Sequence, residues 1–194
     1  LPQSIDFTGF NGTNLTTLFP NWREASGATT PSGTTSGWTN STNFPGTAKI
    51  NLYFNTANEW LIGPKFLVTP NTKLKYEVAI TDYNSSGVDP DGMAGTDDKV
   101  VVKMSLDCGQ TWTDLYTYNS ANTATITNAL TPQEIDLSTY AGQTAIIAFF
   151  GSDGTVNNDP NDYDFHIDNV RIVNELPNDV GAIALAQPGT EGCF

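Results

Sequence analysis

No window of this chain carries a sustained 3.6-residue apolar period, and Gly, Pro, Asn and Ser interrupt it about every 8 to 15 residues. Helices should be rare and short strands should dominate. Alternation is clearest in Lys99–Leu106, where Val100, Val102, Met104 and Leu106 share one face and Val101, Lys103 and Ser105 the other. Lys75–Tyr83 repeats the pattern with Tyr76, Val78 and Ile80. Ala145–Phe150 is apolar on both parities, which predicts a mid-sheet strand covered on both faces. Shorter strands fit Ile50–Phe54, Leu61–Ile62, Trp112–Tyr118, Glu134–Leu137 and Phe165–Val173. In the last, the apolar parity switches between Ile167 and Val170, so a bulge is expected near Asp168 and Asn169. Eight or more short strands with non-local pairing predict an all-β fold, a two-sheet jelly-roll β-sandwich.

Size and charge narrow the function. A chain of 194 residues can bury a core without staples, and its two cysteines, Cys108 and Cys193, are too few for a disulfide framework. Eight basic against 21 acidic side chains give a net charge of −13. Such a chain cannot line a groove for nucleic acid, and anionic membrane surfaces repel it. Abundant Thr, Asn, Gly and Asp suit an exported β-protein, so an extracellular location is expected. After Val173 the composition changes. Residues 1–174 read as the jelly-roll domain and 175–194 as a linker and the start of a following β-domain.

Catalytic signatures are sparse. The single histidine, His166, excludes any mechanism needing two imidazoles, and neither a GxSxG elbow nor a glycine-rich phosphate loop is present. His166 has carboxylates two residues away on each side, as a general base can, but its strand context favours a sheet-face residue beside an acidic patch. The chain is expected not to be an enzyme; a hydrolase using paired loop acids trails every other reading.

The aspartates are crowded. Ten of fifteen fall in two segments, Asp82–Asp98 and Asp153–Asp168. Like charges so close are destabilising unless neutralised, and calcium, which takes six to eight hard oxygens from irregular loops, is the expected partner. Asp89, Asp91, Asp97 and Asp98 are candidate ligands in a loop that begins DxDG but lacks the EF-hand's later spacing; they read equally as solvated loop charge. Asp168 is a stronger candidate, because it interrupts an apolar strand at the expected bulge and a buried carboxylate must find a partner. Asp6 interrupts Ile5-Asp6-Phe7 in the same way. A cation shared by the two would pin the chain ends together.

Ser105-Leu106-Asp107-Cys108-Gly109-Gln110-Thr111-Trp112 matches the Asp-box pattern SxDxGxTW, which predicts a hairpin turn with Asp107 as its cap, Gly109 at positive φ and Trp112 packed across it. One copy reads as a fold-stabilising turn and not as a sialidase site. The aromatics flanking the acidic segments offer a sugar platform: Tyr83 and Tyr163 to stack on ring C–H faces, Asp164 and His166 to take hydroxyls. Phe165 reads as core, and so do Trp22, Trp38 and Trp60.

Taken in order, Asp6-Phe7, Phe19-Pro20-Asn21-Trp22, Glu59-Trp60-Leu61-Ile62-Gly63-Pro64, the Ser105–Trp112 turn, Ile135-Asp136-Leu137-Ser138-Thr139-Tyr140-Ala141-Gly142-Gln143 and Phe165-His166-Ile167-Asp168-Asn169-Val170 resemble the cleaved-adhesin modules of secreted Bacteroidetes proteins. These are similar to MAM-type jelly rolls. The resemblance covers roughly residues 5 to 173. It implies a non-catalytic module attached to exported peptidases or adhesins, with bound calcium. Asp168 is the position that carries over best and Asp6 a weaker one, since the family often places Glu where this chain has Thr8. The expected function is therefore a calcium-binding accessory or adhesin module for carbohydrate or glycoprotein. The rival is a purely structural or protein-docking domain with no small ligand.

Overall fold

The computed structural model describes residues 3–42, 44–53, 57–88, 93, 95–156 and 162–175. Its strands are β1 (Gln3–Ile5), β2 (Arg23–Ser26), β3 (Thr39–Asn40), β4 (Ala48–Asn51), β5 (Asn58–Ile62), β6 (Phe66–Leu67), β7 (Thr72–Asp82), β8 (Lys99–Ser105), β9 (Thr113–Tyr118), β10 (Thr131–Asp136), β11 (Thr144–Ser152) and β12 (Tyr163–Asn174). Helix is confined to one turn at Leu15–Leu18 and a 3₁₀ turn at Ser138–Tyr140. Among the described residues no helix is long and apolar enough to cross a membrane.

The strands form two antiparallel sheets built on one plan. In the first the order is β10-β7-β12-β4-β3, with β1 joining β12 beyond the end of β4. In the second the order is β2-β5-β11-β8-β9, with β6 joining β11 beyond the end of β5. Each long central strand thus has two short strands laid end to end along one edge. Neither sheet closes on itself, so the fold is the expected two-sheet jelly-roll sandwich.

Alternation places the core. Val100, Val102 and Met104 of β8, Leu74, Tyr76, Val78 and Ile80 of β7, and Tyr163, Phe165 and Ile167 of β12 all point between the sheets. The strand expected to be covered on both faces is so covered. Ala145, Ile147 and Phe149 of β11 enter the central core, while Ile146, Ala148 and Phe150 join Ala25, Trp60, Ile62 and Val101 in a second cluster on the outer face, with Trp112 against it. Burying each large side chain there contributes roughly 1.5–3 kcal/mol. Trp60 and Phe150 meet at 4.6 Å between ring centroids, and Lys103 lays its ammonium 5.3 Å from the Phe150 ring.

The bulge also appears where parity demands it. The β12–β7 register shifts between Asp168 and Arg171, and Asn169 adopts φ 49°. This extra residue turns Val170 and Ile172 inward while leaving Asp164, His166 and Asp168 on the outer face of the sheet.

Several expectations need correcting. The strand expected over Ile50–Phe54 is Ala48–Asn51, and Phe54 lies outside the described residues. Leu106 does not continue the β8 face: the chain leaves the sheet at Ser105, and Leu106 is exposed. Residues 176–194, including Cys193 and nearly all of the expected linker, lie outside the described residues, as do Asp89 and Asp91.

Candidate functional site

Of the seven described acids in the two crowded segments, Asp98, Asp153, Asp164 and Asp168 are buried. Extending the β8–β11 register one step past Lys99 and Ser152 places Asp98 opposite Asp153, and both are buried. Tyr163 donates its hydroxyl to Asp98 Oδ2 at 2.8 Å. Asp97 accepts from the Thr155 and Val156 amides at 2.7 and 3.2 Å, and these bonds hold its carboxyl below the usual range. Gly154 is required beneath it: at φ +64° its Cβ position would lie 2.2 Å from Asp97 Cγ. Asp97 therefore ties its loop to the loop after β11, and Asp98 ties the same loop to β12.

At the far end of β7 the chain turns through Tyr83 and Asn84, the latter at φ 50°. Here the expectation for the aromatics divides. Tyr83 is 47% exposed, as a stacking platform must be, whereas the Tyr163 ring is fully buried in the core and offers no face to a ligand. Asp164 is also buried, because Lys49 folds onto it. The Lys49 ammonium lies 2.6 Å from Asp164 Oδ2, 3.0 Å from Asn84 Oδ1 and 5.7 Å from the Tyr83 ring centroid. The Asn84 amide donates to the same Asp164 oxygen at 3.0 Å. Asn51 donates to Asp162 and to the Tyr163 carbonyl, and burial together with the Asp164 and Asp82 charges pushes the Asp162 carboxyl up. Tyr83 thus sits on a rigid polar base, with Asp162 and Asn84 at its foot.

His166 is not at a ligand surface either. Its ring is buried under Phe44, 5.3 Å away between centroids, and its nitrogens meet Thr47 Oγ1 at 3.1 Å and Thr81 Oγ1 at 2.9 Å. Thr47 already donates its hydroxyl proton to the Phe44 carbonyl. That bond assigns the tautomer: Nδ1–H donates to Thr47 and Nε2 accepts from Thr81. Burial, with the Lys49 charge added, lowers the imidazole to about 4. A neutral histidine locked at both nitrogens ties β12 to β7 and to the loop before β4.

The third cluster lies at the bulge. Asp168 is 8% exposed and opposite Glu77 in the register, and its Oδ1 has no hydrogen-bond partner. Burial, with repulsion from Asp6 and Glu77, raises its carboxyl to about 7. Asn169 donates to Glu77 Oε2 at 2.7 Å, and the Thr8 amide caps Asp6 at 3.1 Å. The chain ends do converge here, β1 running antiparallel to β12 with Ile5 opposite Val170. Among the described residues, however, no three His, Cys, Asp or Glu side chains gather closely enough to hold a metal ion.

Two further features bear on chemistry. Glu24 and Glu59 lie near one another at the edge of the second sheet, and burial raises the Glu24 carboxyl. Both side chains are engaged by the Ser36–Gly37 loop, Glu24 accepting from the Ser36 hydroxyl and Glu59 from the Gly37 amide. In the Ser105–Trp112 turn, Asp107 accepts from the amides of Gln110 and Thr111 and from the hydroxyls of Ser105 and Thr111, which lower it to about 2, and Gly109 takes φ +90°. The Thr111 hydroxyl is the largest contributor.

Sequence reasoning missed Lys49, Thr47, Thr81 and Glu77. Only Lys49 carried a usable signal: it interrupts Ala48-Lys49-Ile50 as Asp168 interrupts its own strand.

No protein-family model matches the chain, and no curated protein matches it in sequence. Solved structures do match its fold. The K1 cleaved adhesin domain of Lys-gingipain from Porphyromonas gingivalis W83 aligns with a TM-score of 0.56 over 91% of this chain and 99% of that domain, at 16% identity. The K3 domain of the same protein gives 0.54 over 88% and 97% at 15% identity, and the K2 domain of Lys-gingipain 0.50 over 89% and 97% at 16%. At such identities the fold is what is shared. This chain has the sandwich of the cleaved adhesin domains, in agreement with the resemblance its motifs carry.

Proposed function

We propose that this cleaved-adhesin-like sandwich is a non-catalytic extracellular binding module whose ligand is carbohydrate, free or on a glycoprotein, with Tyr83 as its stacking platform. The observation that carries the reading is the half-exposed Tyr83 ring, with the Lys49 ammonium of the Lys49–Asp164 pair beneath it and Asn84 bonded to both members of that pair. A ring fixed before binding loses little entropy when a sugar stacks on it. Asp162 and Asn84 stand where hydroxyls of such a sugar would fall. Tyr163, Asp164 and His166 act beneath this surface as its supports. The test is a glycan array repeated with Tyr83→Ala: loss of binding with an unchanged melting curve supports the reading, and an array blank for the unmodified protein would favour a docking domain.

Calcium belongs to the same proposal, as a structural ion. The buried Asp168 oxygen without a partner supports a cation there, and Asp6 and Glu77, whose charges already act on it, are the carboxylates that would have to draw closer to complete its ligands. An ion bound only by the folded chain stabilises it by mass action. Added calcium is expected to raise the melting temperature, chelator to reverse the rise, and Asp168→Ala to abolish the response. A melting curve indifferent to both would remove the ion from this reading. Asp97 and Asp98, each held by hydrogen bonds within the loops, are weaker ligand candidates than the sequence implied.

A further inference from the structure

The surface also opens away from Tyr83, around β1. One cleft of about 430 Å³ runs past Trp22, Asn21 and Pro64, and a second of about 280 Å³ past Asp6, Asn169 and Arg171. Ser4 and Phe19 line both, so the two lie side by side as one groove. Together they hold more than one sugar ring.

The aromatic end is built before any ligand arrives. The Trp22 amide closes a turn onto the Phe19 carbonyl at 2.8 Å, and its ring stands 5.8 Å from the buried Phe7 at 73°. Gly63 packs beneath the indole, its Cβ position 3.5 Å from the ring, in ordinary van der Waals contact. Trp22 and Phe19 are each partly exposed along this groove. The polar end offers donors and acceptors of both signs, the Asp6 carboxylate, the Asn169 amide and Arg171, which makes no ion pair among the described residues, and Asn21 adds an amide beside Trp22.

We propose that this groove is a second ligand site, distinct from Tyr83, and that it binds a neutral saccharide of two or more units. Hydroxyls both donate and accept, so they satisfy a carboxylate, an amide and a guanidinium alike, while the pyranose C–H faces lie on Trp22 and Phe19. Arg171 shares the lining with Asp6 while Asp168 lies close to both Asp6 and Glu77, so this end is net acidic, and with the −13 of the whole chain it repels acidic glycans. Tyr163 and Arg171 stand eight residues apart on β12, on the order of 25 Å, so the groove and the Tyr83 platform are too far apart to share one sugar ring.

The experiment is done in the Tyr83→Ala background, which separates this site from the one proposed above. A glycan array identifies neutral oligosaccharides that still bind, and calorimetry measures them. Adding Asn21→Ala or Arg171→Ala, both exposed positions, is expected to weaken binding roughly five- to tenfold without moving the melting temperature. The Trp22 indole N–H resonance is expected to shift on titration of the same sugar. If Tyr83→Ala removes all glycan binding, the groove is not a site and the Tyr83 reading stands. Retained signals confined to acidic glycans, or indifferent to Asn21 and Arg171, overturn the proposal equally.

Discussion

His166 gives the sharpest test of how the outer face of the first sheet is held. Its ordinary value of 6.5 falls to about 4 in the folded chain, because the ring is sealed between Phe44, Thr47 and Thr81 and has Lys49 close by. A histidine depressed on folding contributes stability that is complete above its unfolded pKa and is lost as the pH falls through 6.5 toward 4. From those two values, the loss between pH 7 and pH 4.5 is about 2.5 kcal/mol. Carboxylates titrate in the same window, so the measurement is a difference. Urea unfolding of the protein and of His166→Gln is followed at each pH, the glutamine retaining a donor for Thr47 and an acceptor for Thr81 without a titrating group. The two stabilities should converge on acidification by about that amount, the histidine protein losing ground. Parallel profiles from pH 7 to 4.5 would show that the ring is charged or hydrated in the folded state, and the locked tautomer would have to be given up.

Four other substitutions probe the frame. Lys49→Met strands the buried Asp164 carboxylate and is expected to cost about 3–5 kcal/mol in urea unfolding, most of it recovered by adding Asp164→Asn. Gly109→Ala puts a side chain at φ +90° against Arg23 and Trp112, and should lower stability by about 1 kcal/mol or more with binding unaffected. Phe149→Ala and Phe150→Ala should each cost about 3–5 kcal/mol, since neighbours on opposite faces of β11 are both enclosed; a cheap Phe150→Ala would mean that the outer cluster is not a core.

What the sequence made legible was whatever a period of two can encode. The β8 alternation, the double-faced β11 and the parity slip of β12 are all local patterns of side-chain polarity, and each reappears in the sheets as read. The short strands β1, β3 and β6 have two or three residues each, too few to show a period. The direction of the polar residues was harder to read. Asp164, His166 and Tyr163 sit among acids and loops in the sequence, and that composition suggested a surface. Asp164 and His166 are buried because Lys49, Thr47 and Thr81, between 85 and 119 positions away, turn toward the same face to satisfy them, while Tyr163 points into the core and meets Asp98. Partners so distant along the chain leave no mark on the local pattern. Tyr83 was legible because nothing needed to come from afar to leave it exposed.

The position of β12 has a consequence for the order of assembly. It is the last described strand in the chain, yet it occupies the middle of its sheet and touches β7, β4 and β1. A ribosome therefore delivers the keystone after every other described strand: until residue 174 has emerged, β4 and β7 have nothing between them and β1 has no partner. The first sheet cannot close before β12 has emerged, and nascent chains ending before Tyr163 are expected to stay protease-sensitive.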